Sequence, residues 1–512
     1  MGKTQVRATL LATTAVLTLI ASANANVVLN PGFESGAFGV WVSGGSGFNS
    51  ISGNITSTTP RTGSFAFSGG CIGVGCVVVG GTGVSGPGSV TQTINLQPGI
   101  YQGSFYYQSV GGTNQLAVSL GNNTVRNQTN LPAAPYTQYS FISAASGGAT
   151  RLAFGIRNDP DFDRIDDVVL NLVDDGKGNN IGAASQTVAV QASREFLDRL
   201  QDRFSHAGSP IQMASVRETV VASAGDMTYV NAGGKYRAFM SAFGSQGDWD
   251  DSSTSSERRG FSAGFEFNTG GSLDLGIAFS LSRTDFDTKT IFTRNDGEAH
   301  EFLGAVYAHW SPSSMPVYFN LIGGYGQSSN DFSRTSLLGL GSVGADDVDS
   351  SQWFGSAELG WDWAVSPNFM LTPFARIDGA SLDQDAYSEA PSPGSLLIPA
   401  AVGGRSFDAA RSVLGVRAAL DLDIGRGAKL GAKAGWAHEF EQDRFVTFTE
   451  TTGPVSFAGI AGAATPSEDS VVVGGSLEVA VSDEASLYAG YNGDFGDGQE
   501  IHAGEVGLRV TW

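Results

Sequence analysis

The sequence predicts an all-β protein in two parts: an N-terminal β-sandwich, then a C-terminal antiparallel transmembrane β-barrel of about twelve strands with one helix in its lumen. Three observations support this prediction. The end of the chain alternates between apolar and polar residues, short alternating runs recur through the N-terminal part, and one segment of helical period lies between the two. Alternating segments of about ten residues, bordered by aromatic residues, are typical of transmembrane β-barrels.

The last strand shows the alternation most clearly. Val506, Leu508 and Val510 are apolar, polar or small residues stand between them, and Trp512 ends the chain. Such a strand has one face suited to lipid and one suited to water. The alternative is an edge strand of a soluble sheet.

Composition agrees with a β architecture and limits the partners. The chain has 512 residues, of which 70 are glycine and only 15% are charged, and its formal net charge is −21. A disordered chain would carry more charge and fewer aromatic residues. The acidic balance argues against nucleic acid or an anionic membrane surface as a partner.

The N-terminus reads as a secretory signal peptide spanning residues 1–25. Lys3 and Arg7 precede an apolar run from Ala8 to Ile20, and a small-x-small site ends at Ala25. A transmembrane helix would be longer. A signal peptide combined with a barrel predicts a Gram-negative envelope protein located in the outer membrane.

Residues 26–175 form the first unit, in which short alternating runs are separated by glycine, proline and asparagine, as in an all-β sandwich. Its two cysteines, Cys71 and Cys76, lie five residues apart, and in an oxidising compartment we expect a local disulfide. A zinc site is disfavoured because the first 200 residues contain no histidine and no other cysteine.

The acidic residues of this unit are unevenly placed. Glu34 stands alone near the start, and a cluster lies near the end at Asp159, Asp161, Asp163, Asp166 and Asp167. If the first and last strands are neighbours, these carboxylates converge and favour a structural Ca²⁺ ion. The alternative is a solvated acidic loop.

Three stretches of this unit carry a family resemblance: NPGFESGAFGVW, SVTQTINLQPGIYQGSFYYQ and RIDDVVLNL. They resemble jelly-roll modules related to bacterial carbohydrate-binding domains. The resemblance implies a jelly roll, and a calcium ion held by Glu34 and by Asp166 or Asp167.

Catalysis in this unit is not expected. Without histidine no Ser-His-Asp arrangement can form, and a glycosidase pairing of Glu34 with a clustered aspartate is better explained by calcium. Trp41, Tyr106 and Tyr107 could stack on sugars, although aromatic residues of a sandwich more often pack in its core.

Residues 176–234 form a bridge that contains one amphipathic helix, predicted at about 185–204 with Ser185 as its N-cap. Its apolar residues repeat every four positions, and charged residues surround them. The dense mixed charge favours a polar barrel lumen; a helix packed outside the barrel or in a dimer interface is the alternative.

Residues 235–512 read as barrel throughout, with strands beginning near residues 235, 257, 273, 298, 315, 350, 368, 408, 428, 468, 485 and 501. In the sixth strand, Trp353, Leu359 and Trp361 face one way while Ser356 and Glu358 face the other. Residues 328–350, 383–405 and 449–467 are predicted as long external loops, and SPSSM, SPN and SDEA as short periplasmic turns.

Four barrel stretches resemble the C-terminal translocator domain of monomeric autotransporters of the type V secretion pathway: YRAFMSAFGSQG, LTPFARIDGASLDQDAYSE, RSVLGVRAALDLDIGRGAKLGAKAGWAHEFEQD and YAGYNGDFGDGQEIHAGEVGLRVTW. The resemblance implies a twelve-stranded barrel, a pore-threading helix and a passenger exported to the cell surface. It implies outer-membrane lipid, the barrel assembly machinery and periplasmic chaperones as partners of a monomer. Val506, Leu508, Val510 and Trp512 would form the assembly signal.

The resemblance also bears on processing, because Asn179-Asn180 matches the asparagine pair at which some relatives cleave themselves. Three functions remain open at this point. The first is an autotransporter that displays its sandwich for adhesion or binding of an extracellular glycan or surface ligand. The second is a porin-like outer-membrane channel with an accessory domain, and the third is a surface hydrolase.

Overall fold

The computed structural model describes residues 26–44, 54–159, 161–207, 235–250, 253–269, 271–312, 314–422, 424–425, 427–440, 445–452, 455–462 and 465–512. The predicted signal peptide, residues 1–25, lies outside the described residues. Residues 208–234, the second half of the predicted bridge, also lie outside the described residues.

The N-terminal unit is a β-sandwich, as predicted. Its strands are β1 (Val42–Ser43), β2 (Asn54–Thr56), β3 (Ala66–Gly69), β4 (Val78–Gly80), β5 (Gly83–Ser85), β6 (Ser89–Leu96), β7 (Gly99–Ser109), β8 (Thr113–Leu120), β9 (Asn123–Thr129), β10 (Ala134–Ala145), β11 (Gly148–Asp159) and β12 (Asp163–Asp174). One five-stranded sheet has the order β1-β6-β11-β8-β9 and the other β10-β7-β12-β3-β2. Apolar residues that alternate along these strands meet between the sheets, where Phe33, Phe105 and Phe154 are fully buried.

A 3₁₀ turn at Lys177–Asn180 leads into one long helix, α1 (Ile181–Ala207). The helix begins four residues before the predicted start. Ser185, the predicted N-cap, is the fifth residue of the helix, and its hydroxyl donates to the carbonyl of Gly182. No helix among the described residues is long and apolar enough to cross a membrane.

The strands that follow α1 are β13 (Tyr236–Trp249), β14 (Thr254–Asn268), β15 (Leu273–Lys289), β16 (Thr293–Trp310), β17 (Val317–Ser336), β18 (Ser342–Trp361), β19 (Trp363–Ser366), β20 (Phe369–Gln384), β21 (Tyr387–Ser388), β22 (Ala390–Pro391), β23 (Ala400–Val402), β24 (Arg405–Leu422), β25 (Ala428–Glu439), β26 (Phe445–Thr452), β27 (Val455–Gly462), β28 (Asp469–Ala480), β29 (Ala485–Gly496) and β30 (Gln499–Thr511). The twelve longest of the barrel sheet close into an antiparallel barrel with α1 inside it, because β30 pairs along its length with β13.

The alternation predicted for the strands is confirmed. In β18, Trp353 is 66% exposed on the lipid side, whereas Glu358 is 1% exposed on the lumen side. Short connections join β16 to β17, β19 to β20 and β28 to β29, where SPSSM, SPN and SDEA were predicted as periplasmic turns. The sandwich and the N-terminus of α1 lie at the opposite, extracellular mouth.

The predicted external loops are more ordered than expected. Residues 328–350 are mostly strand, because β17 and β18 continue their pairing as far as Thr335 and Ser342. The other two segments contribute to a separate four-stranded sheet at the mouth, in the order β21-β23-β26-β27. Backbone pairing satisfies the hydrogen-bonding groups of a sheet in water as well as in lipid, so polar residues do not end the strands here.

Candidate functional site

The lumen is filled by α1, whose charged residues are paired with charges on the barrel wall. Arg194 contacts Glu439 at 2.5 Å, and Asp198 contacts Arg376 at 2.6 Å. One turn further along, the Nζ of Lys433 lies 3.0 Å from Asp202. Removing one partner would leave a buried charge uncompensated, so these pairs hold the helix in one position along the pore.

The other side of the helix contacts the barrel wall through apolar packing, ion pairs and a cation–π contact. Phe196 and Leu200 are buried against Phe239, Leu303 and Phe354 of the wall. Further contacts come from charged residues, with Glu195 3.1 Å from Arg258, Arg203 3.4 Å from Glu266, and the Arg199 guanidinium 3.7 Å above the Phe243 ring. The prediction that the mixed charge of this segment suits a lumen is confirmed.

The predicted assembly signal lies on the strand that closes the barrel. Val506 and Val510 of β30 pair with Ala242 and Ala238 of β13, and Val506 is 61% exposed on the lipid side. Trp512 exchanges backbone hydrogen bonds of 3.0 Å with Tyr236. The structure thus joins the last residue of the chain to the first residue of the barrel.

At the extracellular mouth, the buried guanidinium of Arg334 binds three carboxylates from three separate parts of the chain. Asp174, at the end of the sandwich, lies 2.6 Å away, and Glu389, between β21 and β22, lies 2.7 Å away. Glu450, from β26, lies 3.0 Å away, and all four side chains are at most 3% exposed. The sandwich is therefore ion-paired to the barrel rather than tethered by a linker alone.

We call Asp174, Arg334, Glu389 and Glu450 the Arg334 cluster. It contains three carboxylates and one cation, and this excess of negative charge favours protonation of a carboxyl group. Burial raises the pKa of Glu450 to about 7 and also raises that of Asp174, although Arg334 opposes both changes. The Oε2 atom of Glu450 has no hydrogen-bond partner, whereas its Oε1 accepts from Asn179. The cluster can thus take up a proton near neutral pH.

Apolar packing surrounds the cluster. Ile100, Ala144 and Val173 of the sandwich share a buried core with residues of the mouth, among them Phe448 and Phe457. Gly176, at the junction, has a positive φ of 75°. A Cβ at this position would lie 2.5 Å from the Phe448 ring, so glycine permits both the turn and the close approach.

Sequence reasoning did not identify this cluster. Arg334 fell in a segment predicted to be an external loop, and Asp174 and Glu450 are far from it in sequence. The available signal was that the two-residue period of β17 continues through Phe332 and Arg334, beyond the membrane.

Asn179 and Asn180, the predicted processing pair, are buried at the same junction. The side-chain amide of Asn179 donates to Glu450 at 3.1 Å. The side-chain oxygen of Asn180 accepts from Thr288 at 2.8 Å and from Asn295 at 3.1 Å. Cleavage at this pair stays a prediction.

Glu34, Asp166 and Asp167, the predicted calcium ligands, surround one loop at residues 61–65. Glu34 accepts from the backbone amides of Ser64 and Phe65, and Asp166 from those of Arg61 and Thr62. Arg61 is ion-paired with Asp167. Among the described residues, no three acidic, histidine or cysteine side chains form a group that could hold a metal ion.

The donors around these carboxylates therefore do not fit a calcium ion as they stand, because backbone amides and a guanidinium occupy the places that a cation would take. Burial raises the pKa of Asp166 to about 6, in spite of the amide donors. Calcium binding stays a prediction from the sequence.

Cys71 and Cys76 form a disulfide in the structure, with Cα atoms 5.7 Å apart. The loop that it closes packs with β4 and β5 over the outer face of the first sheet, where Val77 and Val84 are buried against Ala117. Trp41 and Tyr107 lie in the sandwich core, whereas Tyr106 faces outward.

Comparisons with known proteins concern the barrel. A family model described as autotransporter beta-domain matches residues 238–492. The translocator domain of the autotransporter NalP from Neisseria meningitidis matches with 14% identity and a TM-score of 0.47, over 64% of this chain and 99% of that one. The transport unit of AIDA-I from Escherichia coli has 14% identity and a TM-score of 0.41, over 59% and 96%. No curated protein matches the chain.

Proposed function

Because the chain is an autotransporter, with a β-domain that resides in the outer membrane and a passenger displayed on the cell surface, we propose that its passenger sandwich binds carbohydrate and so serves adhesion. The β-domain itself is not enzymatic. The passenger, residues 26–175, contains no histidine, and its acidic residues near the loop at 61–65 are engaged by backbone amides. Binding therefore suits this module better than hydrolysis does.

The observation that carries the proposal is the difference between the two outer faces of the sandwich. The disulfide loop, β4 and β5 cover the part of the face of β6, β11 and β8 around Ala117 and Ala153, and leave Thr93 and Asn95 exposed at its edge. The opposite face, which we call the open face, also carries Ile142, packed against the barrel mouth, and Val169. Its polar outward residues are Gln102, Ser104, Tyr106, Gln108, Gln138, Ser140, Arg164 and Asn171.

The chemistry of the open face suits sugar hydroxyl groups. Amide side chains both donate and accept hydrogen bonds, as hydroxyl groups require. Gln108 accepts from Arg164 at 3.1 Å on adjacent strands, in a position that leaves its amide NH₂ group available to a ligand. The Arg61 guanidinium lies 3.3 Å above the Tyr106 ring, so polar contacts rather than stacking on Tyr106 would hold the sugar.

A glycan array probed with cells that display the full-length chain tests this proposal. The Gln108→Ala/Arg164→Ala double variant should lose the signal, because each buried polar contact to a ligand contributes about 1 kcal/mol or more. The matched control is Thr93→Ala/Asn95→Ala, which changes two exposed polar residues of β6 on the other sheet. Equal signals from the two variants would contradict the proposal.

We also propose that the passenger remains seated on the barrel. The ion pairs of Arg334 and the shared apolar core support retention, because they link the sandwich to the mouth independently of the peptide backbone at Asn179-Asn180. Cell fractionation of the Asn179→Ala/Asn180→Ala variant tests this. Wild type and variant should both keep the passenger on the cell; a soluble passenger in the wild type alone would show that cleavage releases it.

A further inference from the structure

The outward face of β14, β15 and β16 carries three parallel rows of side chains of different chemistry. Neighbouring strands pair in register, so each row runs straight across the three strands. The apolar row is Phe261, Leu281 and Phe302. The basic row is Arg259, Arg283 and His300. The acidic row is Glu257, Asp285 and Glu298.

These rows follow one another from the membrane toward the extracellular mouth. Phe261, Leu281 and Phe302 are 40 to 51% exposed, as expected of side chains that contact lipid. On each strand the basic row lies two residues nearer the mouth, which is about 7 Å along the strand. It therefore lies where the hydrocarbon of the outer leaflet gives way to headgroups.

The basic side chains lie on the surface and are held by the acidic row. Arg259 is 71% exposed and lies 3.5 Å from Asp285. Arg283 is 2.7 Å from Glu298, and the Nε2 atom of His300 is 2.9 Å from the same carboxylate. Because all of these carboxylates lie on the outer side, the membrane side of the guanidinium groups is left to a ligand.

A groove of about 1000 Å³ connects the basic and apolar rows. Its lining includes Arg259, Phe261, Arg283, His300, Phe302 and Tyr325. The carboxylates of Asp349, Asp383 and Asp385 also line it, so the groove offers an apolar surface, two guanidinium groups and a border of carboxylates. This combination matches a lipid with acyl chains, a phosphate and a sugar whose hydroxyl groups donate hydrogen bonds.

We propose that this groove binds a phosphorylated glycolipid of the outer leaflet. The acyl chains lie along Phe261, Leu281 and Phe302, and a phosphate lies between Arg259 and Arg283. Sugar hydroxyl groups donate to Asp349 and Asp385, which line the same groove. A phospholipid without a sugar would place its phosphate beside the carboxylates of Asp349 and Asp385 with no hydroxyl group to donate to them, which favours the glycolipid.

The test uses the full-length protein in detergent and a bisphosphorylated, acylated glucosamine disaccharide as the probe. Native mass spectrometry measures its binding to the wild type and to Arg259→Gln/Arg283→Gln. We expect roughly thirtyfold weaker binding by the variant, since each arginine at an anionic membrane surface contributes about a fivefold change in affinity. The matched control, Lys289→Gln/Arg294→Gln, removes two positive charges further from the membrane, on β15 and β16, and should bind like the wild type.

Three results would overturn the proposal: equal binding of the dephosphorylated disaccharide, equal binding of phosphatidylglycerol with matched acyl chains, or equal losses in the two double variants. Arg259→Lys keeps the positive charge and should keep most of the affinity, which separates loss of charge from loss of fold. Heat-modifiable mobility in electrophoresis confirms that each variant barrel is folded.

Discussion

Asp174 and Arg334 are 160 residues apart in sequence, yet their Oδ2 and Nη1 atoms lie 2.6 Å apart in the structure. Asp174 ends the last strand of the passenger sandwich, and Arg334 lies on a barrel strand at the extracellular mouth. Both side chains are at most 2% exposed. This ion pair makes the passenger and the barrel mouth one packed unit.

Replacing Arg334 with methionine should detach the passenger from the mouth while the barrel remains folded. The variant leaves three buried carboxylates without a cation, and breaking a buried ion pair from one side costs about 3–5 kcal/mol. Hydrogen exchange at residues 174–180 should become fast. The control is Arg294→Met, whose ion pair with Asp296 is about half exposed and should contribute little. Unchanged protection in Arg334→Met would contradict the role of the cluster.

The contact between the passenger sandwich and the barrel mouth should weaken as pH rises. The pKa of Glu450 is about 7 in the folded protein, against an ordinary value of 4.5, because the group is buried. A carboxyl group whose pKa is raised by folding contributes stability that is fully present below pH 4.5 and is lost as pH rises through about 7. The difference corresponds to roughly 3 kcal/mol. Arg334, Asp174 and Glu389 face the same carboxyl group, and the pKa of Asp174 moves in the same direction.

The measurement is hydrogen exchange at residues 174–180, corrected for intrinsic rates, at about pH 6 and about pH 8.5. Protection should be greater at the lower pH. Glu450→Gln mimics the protonated group, so it should keep high protection at both values. A wild type that is protected more strongly at the higher pH would show that the sign is wrong.

The sequence was sufficient to predict the architecture because alternation is a local property. In β18, the tryptophans and Glu358 can be assigned to opposite faces from their spacing alone, and the mixed charge of α1 indicates a polar surrounding. The start of α1 was harder to predict from the sequence. Ile181 follows Gly176 and a 3₁₀ turn, which a polar, glycine-rich stretch does not distinguish from a flexible linker.

The Arg334 cluster could not be predicted in the same way. Its members come from the sandwich, a barrel strand and two segments above the membrane, so only the closed barrel and the docked sandwich bring them together. The basic row at Arg259 and Arg283 is an intermediate case. The spacing of these residues in the sequence places each of them on the outward face of its strand. The sequence does not show that they are neighbours, because this depends on the register between β14 and β15.

Deleting residues 186–204 should open the pore. α1 fills the lumen through Asp198, Asp202 and their partners on the wall, and the barrel around it is continuous. Planar-bilayer conductance should be low for the wild type and high for the deletion variant. Arg376→Gln, which removes the closer of the two cations that pair with Asp198, should give brief openings because the helix remains present. A wild type that conducts as much as the deletion variant would favour the porin alternative.

Calcium binding can be tested at the loop of residues 61–65. Arg61 already supplies a cation to Asp167, so hydrogen exchange of β3 and β12 in the full-length wild type should be the same with and without a chelator. Arg61→Gln removes this cation, and added calcium should then restore protection to the variant. Loss of protection in the chelated wild type would instead support the calcium ion predicted from Glu34, Asp166 and Asp167.

Removing Trp512 should lower the amount of barrel assembled in the outer membrane. Its backbone exchanges two 3.0 Å hydrogen bonds with Tyr236, and its ring lies 6.2 Å from the Tyr236 ring and 6.1 Å from that of Phe265. The deletion therefore weakens the closing pair of strands at the end where β13 begins. Val506→Asp acts differently, because it places a charge on the lipid face at a cost of up to a few kcal/mol, depending on depth.

Both variants should show reduced levels of heat-modifiable barrel in outer-membrane fractions. Glu500→Gln is the matched control, since it changes an exposed residue at the extracellular end of the same strand, away from lipid. Normal levels of the Trp512 deletion, with Val506→Asp still reduced, would show that the lipid face of β30 is needed for assembly and that its terminal aromatic residue is not.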